Sequence, residues 1–131
     1  ACSEESFLKM NRPVSGIRFE DVLAGIKLFR KDFPGKLALQ IMFIESNIKH
    51  ACAISEIARE INPDEVQLNT PLRHCAVNPL SREELTRVKD IFGSLNVLSV
   101  YESKKKPVTP ISDEDTLRRR GKYTDENQNT L

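Results

Sequence analysis

Gln67, Asn69 and the loop that follows them, Thr70-Pro71-Leu72-Arg73-His74-Cys75, gather amide, hydroxyl, guanidinium, imidazole and thiol groups into nine residues of a 131-residue chain. Alternation along a strand sends Gln67 and Asn69 to one face and Val66 and Leu68 to the other. Two amides on a strand flanked by apolar helices need hydrogen-bond partners. A polar ligand held against the strand would supply them; neighbouring backbone, or the amides themselves, would do so without any ligand. His74 and Cys75 offer a base and a nucleophile, but adjacent side chains need not face each other, and no third group orients them. His50 and Cys52 are two residues apart on a helical pattern and share no face. There is no CxxC pair to seed a zinc site. The five glycines, at 16, 25, 35, 93 and 121, form no phosphate-cradling GxGxxG or GK[ST] run. Lys104–Lys106 and Arg118–Arg120 could meet phosphates, yet runs this short read as solvated faces.

The elements that must hold these residues follow from periodicity. Three runs rich in β-formers, Leu37–Ile44, Val66–Asn69 and Val97–Tyr101, start 29 and 31 residues apart, the length of a βαβ unit. Helical patterns lie between and before them. Phe19, Val22, Leu23, Ile26, Phe29 and Phe33 make one apolar stripe that Pro34-Gly35 ends. Ile54, Ile57, Ala58 and Ile61 make a second, closed by Asn62-Pro63. Ser81 and Glu84 form a capping box ahead of Leu85, Val88 and Ile91. The spacing predicts an α/β fold, a three-stranded parallel sheet of βα units in sequence order, with helices at about 18–33, 48–61 and 81–92. Residues 1–101 carry these units. Residues 102–131 read as a linker or lid containing two prolines and a lysine run, a short helix from Ser112 to Gly121, and a mobile tail. In parallel α/β architectures ligands gather at the carboxyl ends of strands. Those ends carry Glu45-Ser46-Asn47, Thr70–Cys75, and Glu102-Ser103.

Composition narrows the classes. With 39% hydrophobic and 30% charged residues the chain has the mixture of one soluble domain. A net charge of +1 gives no field to attract nucleic acid or an anionic membrane. No apolar run approaches the roughly 20 residues that cross a bilayer, and ACSEES lacks the features of a signal peptide, so a cytoplasmic location is expected. Three cysteines, Cys2, Cys52 and Cys75, give no disulfide framework and are expected as free thiols, with Cys52 a small buried apolar residue. Ala rather than Met at position 1 is expected of a processed or excised chain.

The segments ESFLKMNRPVSGIRFEDVLAGIKLFRKDFPGKLALQIMFIESN, INPDEVQLNTPLRHCAVNPLSREEL and TPISDEDTLRRRGK, with KMNRP and PDEVQLNTPLR the most specific pieces, resemble the latter half of a radical S-adenosylmethionine protein over about residues 3–122. The resemblance implies a partial (βα)6 barrel that binds a [4Fe–4S] cluster on a CxxxCxxC loop and cleaves S-adenosylmethionine reductively. It makes Leu37–Ile44 the fifth strand and Val66–Asn69 the sixth. It places Gln40 and Met42 on one face of the fifth strand, and Gln67, Asn69, Thr70, Leu72 and Arg73 at the sixth, as cofactor-binding positions. The cysteines are 50 and 23 residues apart and do not form CxxxCxxC, so the cluster loop and the first strands are not in this chain. The resemblance therefore implies part of a S-adenosylmethionine and substrate pocket, inactive alone. Its expected partner is the missing N-terminal half-barrel or a second copy of the chain. The alternative is a stand-alone small α/β binding or interaction module without redox chemistry.

Overall fold

The computed structural model describes residues 1–72, 75 and 77–102. Arg73, His74, the lysine run and the expected helix from Ser112 lie outside the described residues. In chain order the elements are α1 (Glu4–Asn11), α2 (Phe19–Asp32), β1 (Ala38–Met42), α3 (Glu45–Ile48), α4 (Ala51–Ile61), β2 (Glu65–Asn69), α5 (Arg82–Phe92) and β3 (Val97–Ser99). The strands form one parallel sheet in the order β1-β2-β3, the architecture that the spacing predicts.

Local chemistry sets the boundaries. The Ser81 hydroxyl accepts from the Glu84 backbone N–H, and Glu84 answers by accepting from the Ser81 N–H at 2.8 Å, so the capping box starts α5. Gly93, at φ 58°, ends it. Asn62 closes α4 in the left-handed region at φ 52°, where an Asn is tolerated, and Pro63 bars continuation.

The structure adds three points to the expected pattern. The helix expected at about 48–61 is α4, which begins at Ala51 after a turn at Lys49-His50 that separates it from the short α3. An unexpected helix, α1, precedes α2; Ser3 caps it through Ser6, and Glu4 and Glu5 complement its dipole. The apolar stripe of α2 is not a core stripe: no residue of α2 is buried, and Phe29 remains 52% exposed.

The core lies on one side of the sheet. Phe43, Val66 and Leu68 pack against Ala51, Ile54 and Ala58 of α4 and Leu85, Val88 and Phe92 of α5. The Phe43 and Phe92 rings meet edge to face with centroids 6.2 Å apart. Full burial of each such side chain stabilises by about 1.5–3 kcal/mol. Both crossover helices therefore cover the same face. No helix among the described residues is long and apolar enough to cross a membrane.

Candidate functional site

Residues paired across a parallel sheet point to the same side. Gln40 pairs with Gln67, Met42 with Asn69, Ala38 with Glu65, and Gln67 with Leu98. The register thus gathers Gln40, Met42, Gln67 and Asn69, expected at two separate strands, onto one face. It is the face opposite Val66 and Leu68. The described helices leave much of it open, with Ala38, Gln40, Met42 and Leu98 exposed, although Gln40 and Met42 also line a cavity shared with α1 and α2. Gln40 is exposed, Met42 is half exposed, and Gln67 and Asn69 are half-buried. The amides are thus not flanked by apolar helices, as the sequence suggests; helices bury only the other face.

The Gln67 amide donates to Glu65 Oε1 at 2.7 Å along its own strand, so one of the two ways of satisfying it, a bond to a neighbour, is present. Asn69 serves the sheet through its carbonyl, which accepts from the Phe43 N–H at 2.8 Å. Together the four side chains form a mixed amide and thioether surface that leads to the carboxyl ends of β1 and β2. It can hydrogen-bond a polar heterocycle and contact its apolar faces.

The loops at those ends are held by named bonds. After β1, Asn47 is buried; its amide donates to the Met42 carbonyl at 3.0 Å and its oxygen accepts from the Ile44 N–H at 2.9 Å. Glu45 and Ser46 are left facing solvent. After β2, Thr70 is 3% exposed and its hydroxyl accepts from the Leu80 N–H at 2.8 Å. Thr70 thus ties the loop back to α5, while Leu72 beside it is exposed. Arg73 lies outside the described residues. After β3, the Tyr101 hydroxyl donates to the Leu80 carbonyl at 2.6 Å, and the Arg82 guanidinium stacks over its ring at 5.2 Å. Burial pushes the Tyr101 phenol up. A hydrogen bond from Lys89 Nζ, and a second from the Ser99 N–H, hold the Glu102 carboxyl below the usual carboxylate range.

The thiols lie elsewhere. Cys52 and Cys75 are exposed, which corrects the expectation of a buried Cys52; its place on α4 faces away from the Ile54 and Ala58 stripe. Cys2 is half-buried against the core near Ser6. Among the described residues no three His, Cys, Asp or Glu side chains come together to hold a metal. Sequence reasoning missed Ala38, Glu65 and Leu98 as members of the amide face, because only strand register reveals them. It also missed Asn47 and Tyr101 as the side chains that fasten the loops.

Comparison with known proteins finds similarity to two UPF0026 proteins and to a GTPase. The chain is 38% identical over 76 residues to the UPF0026 protein slr1464 of Synechocystis sp., covering 57% of this chain and 28% of that protein. It is 29% identical over 102 residues to the UPF0026 protein MJ1312 of Methanocaldococcus jannaschii, covering 70% and 30%. It is also 27% identical over 124 residues to the GTPase Obg of Brachyspira hyodysenteriae, covering 86% of this chain and 18% of that protein. The chain thus spans less than a third of the curated relatives it matches. No protein-family profile matches it, and no solved structure does.

Proposed function

We propose that this chain is one wall of a larger βα barrel of the radical S-adenosylmethionine type. Its open sheet face and strand ends form part of the pocket for S-adenosylmethionine and substrate, and the chain is inactive alone. The observation that carries this reading is the one-sided sheet: α4 and α5 cover Val66 and Leu68, while Gln40, Met42, Gln67 and Asn69 share the uncovered face. A barrel wall has helices on its outer face and alternate strand side chains turned inward, and polar ones there can meet a ligand at the strand ends.

The thiols do not fit a [4Fe–4S] cluster, since two of the three are exposed and none belongs to a metal-holding group among the described residues. In this reading the cluster ligands come from outside this chain, and no step of the chemistry is assigned to it. The adenosine fits better: Gln40 and Asn69 supply amide donors and acceptors, Met42 a polarisable contact, and Leu72 an apolar one at the pocket mouth. Arg73 would add charge from the same loop. GTP chemistry, the business of the Obg relative, is not carried over, because the chain has no glycine-rich loop with the lysine that such a site needs. The partner is the rest of the barrel, and the compartment a reducing cytoplasm, where free thiols persist.

Titration of the isotopically labelled chain with S-adenosylmethionine tests this reading. Weak binding, in about the millimolar range, is expected, because most of the pocket is open to water and each lost polar partner costs about 1 kcal/mol. Amide and side-chain shifts should cluster at Gln40, Met42, Gln67 and Asn69 and weaken in Asn69→Ala. Shifts confined to α4 and α5, or none at 10-fold higher ligand, would overturn it.

A further inference from the structure

Glu65 and Gln67 stand two residues apart on β2, on the open face, with Ala38 and Gln40 beside them on β1 and Leu98 beside Gln67 on β3. Gln67 Nε2 donates to Glu65 Oε1 at 2.7 Å, and both side chains are half-buried. β2 does not need this bond to stay in the sheet. It is the central strand, paired on both sides, and Val66 and Leu68 on its other face are fully buried. Nor does Glu65 answer a charge, since no Lys, Arg or His among the described residues pairs with it. Glutamate is also a poor strand former, so local propensity does not account for its place.

The chemistry of the pair fixes which way the Gln67 amide is turned. An amide carries two donors on its nitrogen and an acceptor oxygen, whereas a carboxylate only accepts. The nitrogen must therefore face Glu65, because the amide turned over would set two oxygens against each other. A charge-assisted bond holds that choice more firmly than a neutral partner could. The Gln67 oxygen is left turned away from Glu65, and no side chain among the described residues donates to it. Gln40 and Asn69 differ: no described side chain holds their amides, so either end of each can be presented to a ligand. Glu65 is also the charged side chain among the paired residues of this face, and its sign favours an amine over an anionic group.

We infer that Glu65 is a positioning residue: it locks Gln67 with its oxygen as a fixed acceptor, so that the open face selects a ligand bringing an amine donor to that point. Gln40 and Asn69 adapt to whatever lies beside them, and the Glu65–Gln67 pair is where the face discriminates. This rests on the reading of the open face as a pocket wall. In that reading the donor is the exocyclic amine of adenine, and a base without that amine forfeits the bond.

The test compares adenosine with purine riboside, which differs by lacking the amine, each titrated into the isotopically labelled whole chain. Adenosine is expected to bind about 5- to 10-fold more tightly, the worth of one hydrogen bond. Glu65→Gln should reduce the difference to less than about 2-fold, because a neutral partner lets the Gln67 amide turn over. In that variant adenosine should still shift Gln40 and Asn69, and the circular dichroism should be unchanged. The exchanged pair, Glu65→Gln with Gln67→Glu, again sets a fixed acceptor at position 67 and should restore the preference. Before any ligand is added, Glu65→Gln should also move a Gln67 side-chain amide proton upfield as the charge-assisted bond is lost. Should Glu65→Gln unfold, Glu65→Asp, whose shorter side chain withdraws the carboxylate, serves in its place. An unmoved Gln67 amide, equal affinity for the two nucleosides in the unaltered chain, or a preference that survives Glu65→Gln would each overturn the inference and leave the pocket-wall reading standing. No response of Gln40, Met42 and Asn69 to either nucleoside would overturn that reading, and this inference with it.

Discussion

Thr70 shows how a residue with the chemistry of a site can be structural. Its hydroxyl is buried and accepts from the Leu80 N–H, the bond that returns the loop after β2 to the start of α5. Thr70→Val keeps the shape and leaves that N–H without a partner, at a cost of about 1–3 kcal/mol, measurable by urea denaturation. Titration should show the same loop and edge chemistry. Asp64, held down mainly by the Leu37 N–H, Glu84, by the Ser81 N–H, and Glu102, by Lys89, all have carboxyls below their ordinary range. Each stays charged in the folded chain at a pH where the unfolded chain is already protonated. Their stabilisation is therefore complete above the ordinary carboxylate range and is lost as pH falls through the lowered values. The denaturation midpoint is expected to be flat near neutrality and to drop below about pH 4, less steeply in Glu102→Gln. Tyr101 has the opposite sign: its contribution is present below the ordinary phenol value and lost as pH rises through the raised one. Absorbance titration of the phenolate should give a midpoint above about 10 in the folded chain.

At the scale of elements, α2 departs most from expectation. Its stripe from Phe19 to Phe33 has the period of a core helix, and the period is all a sequence displays. Whether the stripe meets a strand depends on what lies beside β1. α4 and α5 have the same kind of stripe, but theirs joins the core, with Ile54, Ala58 and Ile61 of α4 and Leu85, Val88 and Phe92 of α5 buried. Amide exchange is expected to divide the helices accordingly, with α2 opening at least 10-fold more readily than α4 and α5. Equal protection would mean that α2 is packed in solution. The strands, α5 and the ends of α2 and α4 were legible because Pro34-Gly35, Asn62-Pro63 and the Ser81–Glu84 box are local signals. The break at Lys49-His50 was hidden, since neither Gly nor Pro marks it. α1 was within reach: Ser3 followed by Glu4, Glu5 and Phe7 is the same kind of start signal as that of α5. For the site, alternation alone put Gln67 and Asn69 on one face, but joining them to Gln40 and Met42 needed the β1–β2 register. The exposure of Cys52 follows from its helix position, two before Ile54, a reading that the preference of thiols for burial obscured.

At the scale of the whole chain, the described residues form a two-layer unit with a covered apolar face and an uncovered amide face, and the Ser99 N–H on the outer side of β3 is taken by Glu102. In the barrel-wall reading these features belong to a piece of a larger sheet. In that reading the uncovered face lines a pocket only when the remaining strands are present, and any cluster-dependent chemistry belongs to the assembled protein. Anaerobic reconstitution with iron and sulfide, followed by the iron–sulfur absorption and an assay for 5′-deoxyadenosine, should be run side by side on this chain and on the full-length Synechocystis relative. The expected result is a cluster and reductive cleavage of S-adenosylmethionine by the full-length protein and neither by this chain. A full-length relative that binds no cluster and leaves S-adenosylmethionine intact, or turnover by this chain alone, would contradict the barrel-wall reading.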